Sequence, residues 1–137
     1  MSGSDATTPM QLALYLAAAL TILVGVAHSW LGERYILIRL FRRGDLPTLF
    51  GGTDFTVRTL RFAWHLTSVA WWGFAVILLQ LAQQAPTTVA LGATIGGIFL
   101  VHAAVILFGS RGRHMAWPVF LAIGLISIYA TRTLSGA

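Results

Sequence analysis

Histidine is the residue type of this sequence best suited to chemistry, and three histidines fall at similar positions in three apolar segments. His28, His65 and His102 each lie near an arginine-bearing end of their segment. At about 1.5 Å of helical rise per residue, each is about 6 to 14 Å from those arginines along the chain. We therefore expect the three imidazoles at one depth of a membrane. Imidazole is the most common metal-ligating side chain, so the pattern predicts a transition-metal site for Zn, Fe or Cu.

Further polar residues accompany the predicted metal site. Four of them could ligate the metal or hold its ligands in place: Glu33, Asp54, Ser68 and His114. Three arginines could bind an anionic substrate, a lipid headgroup or a cofactor carboxylate: Arg58, Arg61 and Arg111. With such a site the chain would be a small metal-dependent membrane enzyme or redox protein.

Two other functions fit the same residues. Two of the histidines could be axial ligands of haem b, with the arginines pairing its propionates, which would make the chain an electron carrier. The chain could instead be a cofactor-free accessory or oligomer-forming membrane subunit. The small residues Gly92, Gly96 and Gly97 favour this function, because they let a neighbouring helix approach closely.

One helical stripe carries most of the polar residues near the second histidine. Its members recur at intervals of 4, 3, 4, 3 and 4 residues: Asp54, Arg58, Arg61, His65, Ser68 and Trp72. The rest of that segment is apolar. Lipid offers neither charge nor hydrogen bonds, so this stripe must face protein or water.

The composition indicates an integral membrane protein. The chain has 137 residues, of which 57% are hydrophobic and 9% charged, against roughly 25% charged residues in a typical soluble domain. There is no cysteine, which excludes disulfides and thiolate metal sites. The net charge of +5 comes from arginines that flank apolar runs, so we expect anionic lipid headgroups and no nucleic acid as the partner.

The apolar runs predict an all-α fold, a four-transmembrane-helix up-down-up-down bundle. A short polar tail (1–9) precedes a single membrane domain (10–137), with spans at about 10–31, 56–81, 89–108 and 115–131. Gln83 to Thr88, with Pro86 inside, predicts a short turn.

A basic amphipathic segment at about 33–43 separates the first two spans. One side of it collects the arginines Arg34, Arg39, Arg42 and Arg43. Such a segment next to a span predicts a short interfacial helix that anchors the chain to anionic headgroups.

The distribution of arginine predicts the orientation. Eight of the nine lie at the ends joined by the first and third connections, and Arg132 lies at the other. By the positive-inside rule, those connections face the cytoplasm and both termini lie outside it. We expect the inner membrane of a bacterium, with a homo-oligomer or a larger membrane complex as a further partner.

Overall fold

The structure is a computed structural model that describes residues 7–84 and 87–136, and this part of the chain is helical apart from its connections. Residues 1–6 of the predicted tail, residues 85–86 of the predicted turn and the last residue, Ala137, lie outside the described residues.

Five α-helices and one π-helical segment follow one another along the chain. They are α1 (Pro9–Leu31), the π-helical segment (Gly32–Leu37), α2 (Ile38–Phe41), α3 (Asp54–Ala82), α4 (Thr88–Gly109) and α5 (Trp117–Gly136). Four helical stretches are long and apolar enough to cross a membrane: Pro9–Phe41, Asp54–Ala82, Thr88–Gly109 and Trp117–Ser135. This confirms the all-α fold and its four helices of membrane-spanning length.

Local sequence explains where the helices begin and end. Thr8 and Gln11 form a reciprocal capping box at the start of α1, with Pro9 at a position where its missing N–H needs no partner. The Thr87 hydroxyl accepts the Ala90 N–H at the start of α4. α5 begins two residues later than predicted, because the preceding turn is held by a hydrogen bond from the His114 N–H to the Ser110 hydroxyl.

The basic segment after the first span is helical but does not form a separate helix. α1 runs through the π-helical segment into α2, and the Ile38 N–H donates to the Glu33 carbonyl five residues earlier. Gly32 does not break the helix: it packs against the indole of Trp64, which a side chain at this position would overlap. The predicted helix at 33–43 is therefore the end of a 33-residue helical stretch.

The helices pack as a row in the order α1, α3, α4, α5. In the described chain the main contacts of α1 are with α3, those of α4 are with α3 and α5, and the π-helical segment also meets α3. At one end of the α1–α3 contact Gln11 donates to the Ala82 carbonyl, and at the other Arg61 pairs with Glu33. α3 thus lies between α1 and α4.

Glycines of the α4 row pack against α5 of the same chain. Gly96 lies against Gly124 and Ile128 of α5, and Gly92 lies against Thr131. The third glycine, Gly97, has open space where a Cβ would stand. Two of the three glycines that favoured an oligomer therefore serve the α4–α5 contact.

We expect Gly96→Ala to destabilise the protein and Gly97→Ala not to. A Cβ on residue 96 would lie 2.7 Å from the Gly124 carbonyl oxygen, so the helices would have to separate; such overpacking costs about 1–3 kcal/mol. At residue 97 the better helix propensity of alanine would add up to about 1 kcal/mol. Thermal unfolding in detergent, followed by helical circular dichroism, measures both. Equal midpoints for the two variants would contradict the α4–α5 packing.

Candidate functional site

A polar cluster joins α1 to α3, and His65 is at its centre. The Nδ1 of His65 lies 3.0 Å from the Ser29 Oγ, and its Nε2 lies 3.4 Å from the Glu33 carboxylate. Glu33 also pairs with Arg61, with 3.1 Å between nitrogen and oxygen. Ser29 of α1 and Glu33 of the π-helical segment both contact His65. They are four residues apart, so they lie on one face of the helix.

The direction of these hydrogen bonds follows from the buried serine. Ser68 donates to the Gly25 carbonyl at 2.9 Å, and a carbonyl can only accept. Ser29 must then donate to Ser68, at 2.8 Å, which leaves the His65 Nδ1 as the donor to Ser29. The Glu33 carboxylate can accept from Nε2 only when the imidazole carries both protons.

Two tryptophans of α3 also hydrogen-bond to α1 near this cluster. The Trp72 indole N–H donates to the Ile22 carbonyl, and the Trp64 indole N–H donates to the His28 carbonyl. Gly25 and Gly32 leave the room that these indoles occupy. The part of the polar stripe from Arg61 to Trp72 therefore faces α1, since Arg61, His65, Ser68 and Trp72 all bond there.

His28 lies on a different side of the same pair of helices. Its ring stacks on Trp64, with the ring centroids 4.5 Å apart, and meets the edge of Trp71 at 4.9 Å. Its Nε2 is buried without a hydrogen-bond partner among the described residues. This histidine packs as an aromatic ring beside an apolar groove of about 440 Å³.

His102 lies near α5, away from both of the other histidines. Its Nδ1 donates to the Ile98 carbonyl of its own helix at 2.8 Å, and its ring packs beside Phe99 and Phe120. No ring contact or hydrogen bond in the described chain joins two of these histidines.

The predicted three-histidine metal site is wrong. Within residues 7–84 and 87–136, no group of three His, Asp or Glu side chains could hold a metal ion. The physical reason is the helix order: α3 separates α1 from α4, so imidazoles at one depth point to different neighbours. The haem b hypothesis, which needs two imidazoles facing each other, gains no support from the described residues, where no ring contact or hydrogen bond joins two of these histidines.

Arginines gather in a second polar site, at the end where α3 begins and α4 ends. Arg58 of α3 and Arg111 and Arg113 of the α4–α5 turn line a small pocket of about 50 Å³ together with Asp54 and Ser110. In the described chain the ion pairs of arginine are Arg43–Asp45 and Arg61–Glu33, and His65 also lies 3.4 Å from Glu33. None of the three pocket arginines is in an ion pair there.

Arg61 and His114, which the sequence placed near the predicted metal site, each contact aromatic rings. Arg61 lies over the Phe41 ring, 4.9 Å from its centroid, in addition to its pair with Glu33. His114 packs between Phe55 and Phe62 and accepts the Ala116 N–H.

The basic segment itself holds its arginines at the surface. Arg34 and Arg39 lie over the ring of Tyr35, each 5.8 Å from its centroid. Arg43 forms a two-point hydrogen bond with Asp45, and this bond together with the positive charge lowers the pKa of the Asp45 carboxyl.

Sequence reasoning missed Ser29, Trp64 and Arg113. Ser29 stands four residues before Glu33, a spacing that could have placed both on one helical face. Arg113 is two residues after Arg111 in a glycine-containing turn, and only the turn geometry brings both to Arg58.

A comparison of the chain with protein families, with curated proteins and with solved structures finds no match.

We expect Ser68→Ala to destabilise the protein more than Thr67→Ala. Removing the Ser68 hydroxyl takes a hydrogen-bond partner from the Gly25 carbonyl and from Ser29, and an unsatisfied buried polar group costs about 1–3 kcal/mol. Thr67 is the exposed neighbour on the same helix, so its variant is the control. Unfolding in a denaturing detergent titration measures the difference. An unchanged midpoint for Ser68→Ala would show that the cluster does not hold the two helices together.

Proposed function

We propose that this chain is a membrane protein that binds an anionic lipid headgroup at its arginine-rich end. The observation that carries this function is the pocket shared by Arg58, Arg111 and Arg113, three cations from two parts of the chain. Guanidinium groups bind phosphate through paired N–H donors, and this pairing is the strong form of the hydrogen bond.

The electrostatics of the pocket favour an anion. Three guanidinium groups face one carboxylate, that of Asp54, which leaves an excess of two positive charges. The volume of about 50 Å³ suits one small anionic group. Apolar helix surfaces adjoin this end, so an acyl chain could lie in the bilayer while its phosphate enters the pocket.

The backbone at Arg111 supports a role for this residue beyond folding. Its φ is +54°, a left-handed conformation, and the following Gly112 has φ +76°. A side chain in this conformation costs roughly 1–2 kcal/mol relative to the usual one. Glycine would adopt it without strain, so the arginine at this position contributes something other than turn stability.

We further propose an up-down-up-down bundle in a bacterial inner membrane, with the arginine-rich end in the cytoplasm and both termini outside. The distribution of arginine supports this orientation. Contacts such as Gln11 with Ala82 and Glu33 with Arg61 support alternating helix directions. The exposed side chains of Tyr35 and Ile36 beside Arg34 and Arg39 support an interfacial position for the segment after α1.

Substitutions in the pocket test the proposed lipid site. In native mass spectrometry of the detergent-solubilised protein, we expect the wild type to retain phosphatidylglycerol in preference to phosphatidylcholine. Arg58→Gln and Arg113→Gln should each weaken this retention about tenfold, because each removes a charge-assisted hydrogen bond. Arg132→Gln, at the other end of the chain, is the control and should retain the lipid. Equal loss in all three variants would contradict the site.

The variant Arg111→Gly distinguishes lipid binding from protein stability, because we expect the binding to weaken while the stability rises. The variant should unfold at a higher temperature, because the left-handed strain is relieved, while it loses phosphatidylglycerol. Inorganic phosphate is the competitor to add: displacement of the lipid at millimolar phosphate would assign the pocket to a soluble anion. A variant with lower stability and unchanged lipid retention would refute the role given to Arg111.

Reporter fusions test the orientation. A reporter that is active only in the cytoplasm should be inactive when fused after Ala137 and active when inserted after Gly44, in the connection between α2 and α3. The reverse result would place the arginine pocket outside the cytoplasm.

A further inference from the structure

A second cavity lies on the side of the helix row formed by α3, α4 and α5, and it takes no part in the proposed headgroup site. Its volume is about 380 Å³, within the range of small-molecule sites in proteins. Its walls are apolar and include Phe74, Ile77, Ile98, Phe99, His102 and Phe120. It shares no residue with the arginine pocket.

His102 is the one side chain among these walls that can form a strong hydrogen bond, and its own helix fixes its tautomer. Nδ1 lies 2.8 Å from the Ile98 carbonyl oxygen, which can only accept, so Nδ1 carries a proton. In the neutral imidazole the other nitrogen, Nε2, is then an acceptor. The described chain gives Nε2 no hydrogen-bond partner, and the imidazole lies in the wall of the cavity.

The walls around His102 are suited to a flat ring. Phe99 and Phe120 are nearly parallel, with centroids 5.6 Å apart and 24° between their planes. The imidazole is tilted by 45° to the first and by 42° to the second. Aromatic rings prefer offset-stacked or edge-to-face partners at such separations, so an aromatic ligand gains more here than an aliphatic one.

We propose that this cavity binds an apolar aryl alcohol, a phenol or quinol ring that carries a hydrophobic tail. The ring lies among Phe74, Phe99 and Phe120, and its hydroxyl donates to the His102 Nε2. The tail extends along the apolar wall formed by Ile77 and Ile95. The acceptor nitrogen favours a ligand that offers a donor over one that offers only acceptors, because two acceptors cannot share a hydrogen bond.

The test compares 4-decylphenol with its methyl ether, which keeps the ring and tail but has no donor. Dissociation constants are measured by isothermal titration of the full-length protein in detergent. We expect the wild type to bind the phenol fivefold to tenfold more tightly than the ether, as expected for one neutral hydrogen bond. Because both compounds also enter micelles, the ratio is compared between variants.

Three variants decide the result. His102→Phe should still bind the ether but bring the ratio close to one, since the ring is kept and the acceptor is lost. Ala70→Leu, which fills the cavity from α3, should weaken both ligands equally. His28→Phe keeps the ring on Trp64 and should retain the wild-type ratio.

A decyl-substituted benzoquinol in place of the phenol tests the second member of the ligand class and should show the same dependence on His102. The proposal is overturned if the wild type does not prefer the phenol, if His102→Phe keeps the preference, or if His28→Phe loses it.

Discussion

The hydrogen-bonded contact between α1 and α3 is the constraint on which the rest of the structure depends. Lipid cannot satisfy a polar group, so serine, histidine and carboxylate side chains on these helices gain stability by finding partners in the protein. They do so through one connected chain, from Arg61 and Glu33 through His65 and Ser29 to the buried Ser68. This chain fixes the rotation of α3 relative to α1, because another rotation would break the hydrogen bonds of Ser68 and His65.

Once the rotation of α3 is fixed in this way, its other faces determine where α4 packs, and α4 in turn determines where α5 packs. The Ile98 side chain packs against Gly73, and Phe62 packs against Gly109. α4 therefore lies on the side of α3 away from the polar cluster. α5 then packs on α4 through Gly96 and Gly124. The recesses between the helices include the arginine pocket between the start of α3 and the α4–α5 turn, and the aromatic cavity at His102.

The polar groups of the protein therefore have different tasks, although they are close in depth. His65 joins two helices through hydrogen bonds, His28 packs as a ring against Trp64, and His102 lies in the wall of a cavity. Arg61 is neutralised by Glu33, whereas Arg58, Arg111 and Arg113 form no ion pair in the described chain. This division separates a structural cluster from the two recesses proposed to bind ligands.

The sequence by itself determined the four apolar helices and the polar stripe of α3, because periodicity and hydropathy are properties of one segment at a time. It could also indicate that Arg58 and Arg111 belong to one end of the molecule. The distribution of arginine between the two ends is read from the sequence alone and requires no knowledge of contacts. Only the tertiary structure decided which helices are neighbours. Equal depth suggested that His28, His65 and His102 meet, but meeting also requires each helix to turn its histidine toward the others. That rotation is set by long-range packing, here Ser68 on Gly25 and Ile98 on Gly73, which no local pattern encodes.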